Sequence, residues 1–300
     1  MLVGWWWQPQ FNANAIKNLK IPLPPLEIQN QIVEKMDNAL GIKKQKEKIA
    51  KELLEGIDDF VLWELGIEYE EVEEKKVFGI MLSELGETKR FDVSYNNPKF
   101  LNYEKQIKNW KYNLVKIWEK FQYINGFAFS SKDYLDKWVK LLTIKNITKT
   151  WVNFDNVTYL PENYLEKYND FEIQKNDILF AMTWATIWKA CIFEWEEKVL
   201  LNQRCWAIRT NTENPLFLYT ILNLEFYKNE ILRNSWWWAQ PNISHNEILN
   251  LKIPLPPLEI QEKIANEVKK RIEKAKVLEQ EAKEIYKNAK KEVEEMILGE

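Results

Sequence analysis

Twelve consecutive residues, NLKIPLPPLEIQ, occur twice in this chain, at positions 18–29 and again at 250–261. Each copy follows a Trp triplet and a Gln-Pro pair, and each leads into a charged segment with helical periodicity. An exact match of this length marks a duplicated unit, and such a unit constrains the architecture before any other signal. The sequence therefore predicts one full period of a two-period protein, entered near the end of the first period.

Two long amphipathic helices are predicted to follow the two copies. Apolar residues recur at helical spacing over about 26–62 and 258–298, with Lys and Glu filling the other faces. Pro24-Pro25 ends the preceding strand and allows a helix to begin directly after it. Neither apolar stripe can be buried alone, so we expect the two helices to pack together as an antiparallel coiled coil. Two separate helices lying on a globular core are the alternative.

A mixed α+β domain is predicted between these helices. Residues 68–76 form an acidic-then-basic linker, and short helical patterns follow at 78–85 and 99–109. Strand-like segments bounded by turn residues then come at 115–118, 139–144, 177–181, 190–193, 199–205 and 207–209. Helical patterns at 214–223 and 225–232 complete the domain. The predicted fold class is thus α+β, with a mixed domain flanked by two long helices.

Composition and charge exclude several classes of protein. The net charge is −3, so the chain lacks the overall basic character of many nucleic-acid binders. No apolar run approaches the roughly 18–20 residues of a membrane span, and no signal peptide is recognisable. Cys191 and Cys205 lie in apolar strand-like contexts and are interpreted as buried free thiols. With His245 as the single histidine, no metal site is expected, and a cytoplasmic location is the simplest prediction.

Tryptophan and glycine contents are abnormal. The chain has 15 Trp and 8 Gly, whereas about 7% Gly, or roughly 21 residues, is usual for this length. Trp138 and Trp195 stand in turn contexts where Gly is the ordinary residue. We hypothesise that many of these Trp are glycines in the native organism, because its UGA codons are read as Gly. A protein that uses many indoles for stacking is the alternative.

Several further motifs carry a family resemblance. They are NGFAFSSKDY at 125–134, AMTWATIWK at 181–189, LNQRC at 201–205 and AQPNIS at 239–244. Together with the two IPLPPLEIQ segments, they resemble the specificity subunit of Type I restriction-modification systems, and the resemblance covers essentially the whole chain. Trp184, Trp188 and Trp206 stand where the family pattern has Gly, which independently favours the recoding hypothesis.

The resemblance implies a division of the chain into five parts. These are the remnant of a first target-recognition domain (1–25), a spacer helix (26–66), a linker with a lead-in helix (67–110), a complete target-recognition domain (111–255) and a second spacer helix (256–300). In the family, the helices hold two recognition domains apart so that each reads half of a split DNA site. Most of the first domain is missing from this chain, which predicts a fragment, a split gene or a half-length subunit that forms a homodimer.

The resemblance also implies function and partners. The chain is expected to be a non-catalytic subunit that directs methyltransferase and restriction subunits to DNA, with S-adenosylmethionine and ATP/Mg bound by those partners. The sequence agrees, since no catalytic triad, phosphate-binding loop or cofactor-binding glycine pattern is present. The alternative is a coiled-coil assembly protein whose central domain binds another protein. A recognition domain fused to a methyltransferase is disfavoured, because no catalytic motif accompanies it.

The turns of the predicted domain contain the candidate DNA-binding residues, since loops on a scaffold carry recognition. Reading DNA needs cations for phosphates and paired donors for base edges. Positive and negative side chains balance over residues 111–247, so binding would need a local patch or other subunits. The candidates are Ser130, Ser131, Lys132, Lys145, Asn146, Thr183, Thr186, Lys189, Asn202, Gln203, Arg204, Gln240 and Asn242.

Two of these groups have structural alternatives. Asn202, Gln203 and Arg204 offer amide and guanidinium donors in succession, but they also suit hydrogen bonding at strand ends. Ser244 and Glu247 fit a capping box at a helix start, so the neighbouring Gln240 and Asn242 could belong to a helix cap instead.

Overall fold

The computed structural model describes residues 22–67, 77–79, 81–82, 96–97, 110–148, 152–183, 186–235 and 245–298. For residues 182, 183, 186–189, 231–235 and 247 it describes the backbone alone. The chain divides into two compact units, one formed by Met1–Leu54 with Ile272–Glu300 and the other by Glu55–Arg271. The predictions over 78–85 and 99–109 fall largely or wholly outside the described residues.

Two long helices, α1 and α7, have residues in both units, and the shorter helices and the strands lie in the second unit. The helices are α1 (Leu26–Glu64), α2 (Ile117–Lys120), α3 (Tyr164–Lys167), α4 (Pro215–Asn223), α5 (Glu225–Ser235), α6 (His245–Leu249) and α7 (Leu258–Leu298). The strands are β1 (Leu114–Lys116), β2 (Gln122–Asn125), β3 (Val139–Leu142), β4 (Thr158–Leu160), β5 (Glu172–Ile173), β6 (Ile178–Thr183), β7 (Thr186–Ile192), β8 (Val199–Leu201), β9 (Cys205–Arg209) and β10 (Lys252–Pro254). The two long helices and the α+β class are as predicted.

Small residues line the helix contact in the first unit. Ala39 and Ala50 are buried on α1, and Ala275, Ala282 and Ala289 are buried at seven-residue spacing on α7. The predicted apolar stripe of α1 was wrong at three positions. It included Leu26, Val33 and Ile49, which are 71%, 59% and 37% exposed. Alanine had not been counted in that stripe, although its small side chain suits the closest part of a helix contact.

Ion pairs flank this small-residue contact. Lys35 pairs with Glu292, and Lys46 Nζ lies 2.7 Å from Glu281 Oε2. The Lys43 ammonium lies 4.8 Å from the centroid of the Tyr286 ring. Within the first unit, therefore, the charged groups beside the alanines link α1 directly to α7.

The parts of α1 and α7 that belong to the second unit are joined by an arginine. Arg271 donates from its guanidinium to the Gly56 carbonyl oxygen at 2.6 Å, and it stacks 4.7 Å from the centroid of Phe60. Lys263 Nζ lies 2.7 Å from Glu64 Oε1. Asp58 on α1 accepts a hydrogen bond from the backbone N–H of Glu225, which begins α5. The end of α1 is thereby attached to the mixed domain of the same unit.

Helix α1 ends in a glycine-dependent motif. Gly66 adopts a φ of 70°, and its N–H donates to the Trp63 carbonyl. The N–H of Ile67 donates to the Leu62 carbonyl at 2.9 Å, which completes a Schellman arrangement. Because the side chains of Leu62 and Ile67 are buried, the helix end is fixed by packing as well as by hydrogen bonds.

Two four-stranded sheets form the mixed domain. One has the order β2-β9-β6-β7 and the other β4-β3-β8-β5, in which β3 and β8 run parallel. One apolar cluster draws residues from both sheets, including Ile124, Leu142, Leu179 and Leu201. A second cluster around Leu141 and Leu200 is closed by aromatic residues of the α3 region. Strand β8 is thus buried on both faces, which explains its uninterrupted apolar sequence, whereas β3 is interrupted by the half-buried Lys140.

A smaller two-stranded ladder connects the domain to α7. Strand β1 pairs antiparallel with β10, which lies inside the second NLKIPLPPLEIQ copy. Gln261 then ends that copy as a fully buried residue that donates to Pro256 O and Glu213 and accepts from Asn214 N. In the first copy, Gln29 makes the corresponding bond to Pro24 O at 2.7 Å. The local cap is therefore common to both copies.

Trp138 has a backbone conformation that favours glycine. Its φ is 100°, whereas the other non-glycine residues with positive φ among those described are Asn156 and Asn176. Asparagine tolerates that region, but a bulky side chain there is strained. The Trp138 side chain is 56% exposed, so no burial of the indole offsets the strain. This conformation supports the hypothesis that residue 138 is Gly in the native organism.

Candidate nucleic-acid interface

Three strand ends and a hairpin meet at one edge of the mixed domain. Asn202 N donates to Leu142 O at 2.9 Å, which joins the turns that follow β8 and β3. Phe127 N donates to Leu201 O at 2.9 Å, which brings in the loop after β2. Ala181 lies opposite Cys205, so the β6–β7 hairpin ends at the same edge. We call residues 126–127, 143–146, 202–204 and the strand ends at 183 and 186 the loop rim.

Gly126 allows these loops to approach one another. Its N–H donates to Cys205 O at 3.1 Å and also to Asn125 Oδ1 at 3.1 Å. A Cβ atom at this position would lie 1.9 Å from the carbonyl oxygen of Asn202. Only glycine therefore permits the contact between the loop after β2 and the turn after β8.

Asn146 is committed to the structure of its turn, which corrects its selection as a DNA-binding residue. Its side chain is buried, and Oδ1 accepts from Thr143 N at 3.0 Å and from Thr143 Oγ1 at 2.9 Å. Its Nδ2 donates to Asn153 O at 3.0 Å. Asn146 therefore has no accessible amide for a base. Lys145 beside it is exposed and remains a candidate.

The turn after β8 presents its side chains differently. Asn202 Oδ1 accepts from Arg204 N at 3.4 Å, so this half-buried residue closes the turn. The Gln203 and Arg204 side chains are exposed, and no hydrogen bond or ion pair occupies either of them within the described part of the chain. The structural alternative therefore applies to Asn202, while Gln203 and Arg204 remain free to contact a ligand.

Ser130, Ser131 and Lys132 lie beside α3. Ser130 caps the short 3-10 turn Ser131–Asp133 by accepting from Lys132 N at 3.3 Å. All three residues are exposed. Desolvation raises the pKa of Tyr164 in α3, and the Asp133 carboxylate at the end of this turn, which is within hydrogen-bonding distance of Tyr164, raises that pKa further. These three candidates are accessible but are not part of the loop rim.

The remaining candidates are described only in part or not at all. Thr183 and Thr186 lie opposite each other in the β6–β7 register, and Lys189 lies opposite Ala181, but their side chains are outside the described structure. Gln240 and Asn242 also lie outside the described residues, together with the proposed Ser244 cap. Their selection stays a prediction.

A buried ion pair supports the sheet behind the rim. Arg209 donates to both carboxylate oxygens of Asp177, at 2.8 and 2.7 Å, and to Glu172 O at 2.9 Å. Burial raises the Asp177 pKa, while the hydrogen bond from Arg209 opposes that rise. The two-pronged geometry fixes β9 against the turn before β6. Sequence reasoning missed this pair, because the residues are 32 positions apart, one in the turn before β6 and the other at the end of β9.

Sequence reasoning also missed Lys116 and Lys252, which lie directly opposite each other in the β1–β10 ladder. Neither lysine stood out in the sequence, because their proximity depends on a strand pairing that joins distant parts of the chain.

The described ranges offer no metal site and no membrane-spanning helix. No group of three or more His, Cys, Asp or Glu side chains there could hold a metal ion. Among the described helices, none is both long enough and apolar enough to cross a membrane. Cys191 and Cys205 are buried free thiols, as predicted, and burial raises the pKa of each to about 12.

Comparison with known proteins identifies relatives of the whole chain. It is 27% identical over 299 residues to the Type I restriction enzyme MjaVIII specificity subunit of Methanocaldococcus jannaschii. That match covers 97% of this chain and 64% of the relative's length.

Two solved structures are also similar. The HsdS subunit from Thermoanaerobacter tengcongensis has a TM-score of 0.47 at 14% identity, covering 97% of this chain and 63% of that one. The S subunit of the Type-I restriction-modification system from M. genitalium has a TM-score of 0.44 at 13% identity, covering 90% and 59%.

The sequence also matches a family profile over most of its length. The family is described as the Type I restriction modification DNA specificity domain, and the match covers residues 2–54 and 107–287. Those ranges contain both IPLPPLEIQ segments, the loop rim and most of α7. The chain belongs to the Type I restriction-modification DNA specificity family.

Proposed function

We propose that this chain recognises a DNA sequence and directs partner methyltransferase and restriction subunits to it. The family match over residues 2–54 and 107–287 carries this proposal. The loop rim supports it, because Gly126 brings separate turns together and leaves polar side chains exposed at one edge. The chain spans 64% of the length of the relative it matches.

Within the loop rim, Gln203 and Arg204 are the proposed base-reading residues. An arginine or glutamine side chain can form two parallel hydrogen bonds to a base edge in the major groove, worth about 1–3 kcal/mol of discrimination. Lys145 in the loop rim, and Lys132 outside it, would contact backbone phosphates, which position a protein without specifying sequence. Thr183, Thr186 and Lys189 are retained as candidates because the hairpin they flank ends at the same edge.

The long helices are proposed to form an antiparallel coiled coil that acts as a spacer. In the first unit, Lys35 pairs with Glu292, and Lys46, eleven residues later on α1, pairs with Glu281, eleven residues earlier on α7. The two helices therefore run in opposite directions along this contact. In the second unit, the step from Gly56 to Glu64 matches an equal step back from Arg271 to Lys263. Buried α7 alanines at heptad spacing agree with coiled-coil packing.

The chain itself is proposed to be non-catalytic. S-adenosylmethionine and ATP/Mg would be bound by the partner methyltransferase and restriction subunits. A cytoplasmic location follows from a role on cellular DNA. A second copy of this chain would provide a second recognition domain if the protein acts as a half-length subunit.

Reconstitution with its methyltransferase subunits tests this proposal. The complex should methylate genomic DNA at one recurrent sequence, mapped by sequencing that detects modified bases. Omitting this chain should abolish methylation at that sequence, and exchanging residues 111–255 for the domain of a relative should change it. Methylation at the same sequence after the exchange would favour the alternative, in which the central domain binds a protein.

A further inference from the structure

The β1–β10 ladder places two lysines against each other. Lys116 and Lys252 are directly opposed partners in this antiparallel pair. Opposed residues project to the same face with Cβ atoms about 4.5–5.5 Å apart, and like charges in that arrangement destabilise the pair. Lys252 is exposed and Lys116 is half-buried, and the Lys116 ammonium lies 5.9 Å from the centroid of the neighbouring Trp118 ring, which carries no formal charge. An unbalanced pair of this kind is a site where an anion would remove a repulsion.

The local charges do not supply that anion. Within the described residues, neither lysine forms an ion pair with a carboxylate. The nearby Glu119 carboxylate instead accepts a hydrogen bond from the Lys116 backbone N–H at 3.0 Å. Lys120, at the end of the short helix α2, adds a third exposed cation. These three lysines thus outnumber Glu119, whose carboxylate already accepts a hydrogen bond from a backbone N–H.

The backbone beneath the pair is firmly held. The fully buried Tyr227 donates from its hydroxyl to Lys252 O at 2.8 Å. Ile117 N donates to Leu251 O at 3.2 Å, and Leu255 N donates to Asn113 O at 3.0 Å, which extend the ladder at both ends. The two lysines therefore project from a fixed base, and less entropy is lost when they close on a ligand.

We propose that Lys116 and Lys252 together bind one phosphate of the DNA backbone, where the recognition domain joins α7. This inference rests on the proposed DNA-recognition function and adds a contact that positions the duplex without reading its sequence. Lysine is suited to this role because it acts as a compact point charge with three donors. Lys252 belongs to the duplicated motif, whose first copy has Lys20 at the equivalent position, outside the described residues.

The salt dependence of DNA binding tests this contact. Dissociation constants would be measured between 50 and 200 mM salt (roughly the range over which phosphate contacts are resolved) for the full chain with its methyltransferase subunits. Lys116→Ala/Lys252→Ala should weaken binding to target and random duplexes by the same factor. The slope of log affinity against log salt should become shallower by about one, the value for one lost phosphate.

Two control variants separate charge from folding. Lys116→Arg/Lys252→Arg should retain the wild-type slope. Lys175→Ala removes an exposed lysine that is already ion-paired with Glu196, and it should leave the slope unchanged. An unchanged slope in the double-alanine variant, with wild-type binding to the target intact, would overturn the phosphate contact alone. Loss of target preference without a change in slope would overturn it as well, and a wild-type complex without DNA affinity would remove the proposed function too.

Discussion

The turns that follow the adjacent parallel strands β3 and β8 use their polar residues in opposite ways. In the turn after β3, the buried Asn146 side chain bonds Thr143 and Asn153 on either side. In the turn after β8, Asn202 closes the turn, while Gln203 and Arg204 extend into solvent. Both turns contain amide side chains and a cation, yet the buried amide holds the first turn together, whereas the second turn exposes its side chains. Burial and hydrogen-bond geometry, rather than residue type, separate structural from binding candidates.

The largest effect is expected where the loops of the rim converge. Gly126→Ala would place a Cβ atom 1.9 Å from Asn202 O, so the backbone of one loop must move. We expect the free energy of unfolding to fall by about 3 kcal/mol, measured by urea denaturation. Gly41→Ala on α1 is the control, since nothing lies within 4 Å of its added Cβ. A loss below about 0.5 kcal/mol at Gly126 would show that the loops are not held in close contact.

Removing the Asn146 side chain should lower the free energy of unfolding less than Gly126→Ala does. Asn146→Ala leaves the Thr143 donors and the Asn153 carbonyl without their partner. We expect a loss of about 2 kcal/mol in the free energy of unfolding, with the methylated sequence unchanged. Asn146→Asp retains the acceptor but loses the donor, so its loss should be intermediate. A change in the methylated sequence in either variant would return Asn146 to the binding surface.

The opposite end of β3 gives a prediction of the reverse sign. Trp138→Gly relieves a φ of 100° and should raise the free energy of unfolding by about 1–2 kcal/mol. Trp63→Gly is a matched control, because Trp63 is also exposed but lies inside α1, where glycine should cost about 1 kcal/mol. Mass spectrometry of the protein from its native organism should find Gly at 138. Intact Trp there would contradict the recoding hypothesis at that position.

The exposed turn should contribute least to stability. Arg204→Ala removes a side chain that has no described partner, so the free energy of unfolding should change by less than about 0.5 kcal/mol. Thermal unfolding followed by circular dichroism checks this expectation. A fall of about 2 kcal/mol or more in the free energy of unfolding would mean that the Arg204 side chain stabilises the fold and is not free to contact DNA.

The sequence predicted elements whose signal is local. Helix α7 has the predicted bounds of 258–298, and α1 ends within two residues of its prediction. Strand 199–205 was predicted as one segment, but the turn 202–204 interrupts it. Strands β2, β4, β5 and β10 were not predicted individually, because short strands gain their identity from partners elsewhere in the chain.

The candidate site shows the same limit. Turn residues were located correctly by composition, and the turns that follow β2, β3 and β8 converge with the β6–β7 hairpin in the structure. Sequence alone could not distinguish Asn146 from Gln203, since both are amides in turns. It also could not pair Arg209 with Asp177 or Lys116 with Lys252, because strand register decides those contacts.

In the proposed recognition function, the turn after β8 reads DNA sequence, while the turn after β3 only supports it. The most direct measurement is the methylated sequence produced by Gln203→Ala and Arg204→Ala complexes, mapped by sequencing of modified bases and compared with Asn146→Ala. We predict that Gln203→Ala and Arg204→Ala relax the preference at one or two adjacent base positions and that Asn146→Ala leaves every position unchanged. An unaltered methylated sequence in both the Gln203 and Arg204 variants, with folding intact, would contradict base reading by the turn after β8.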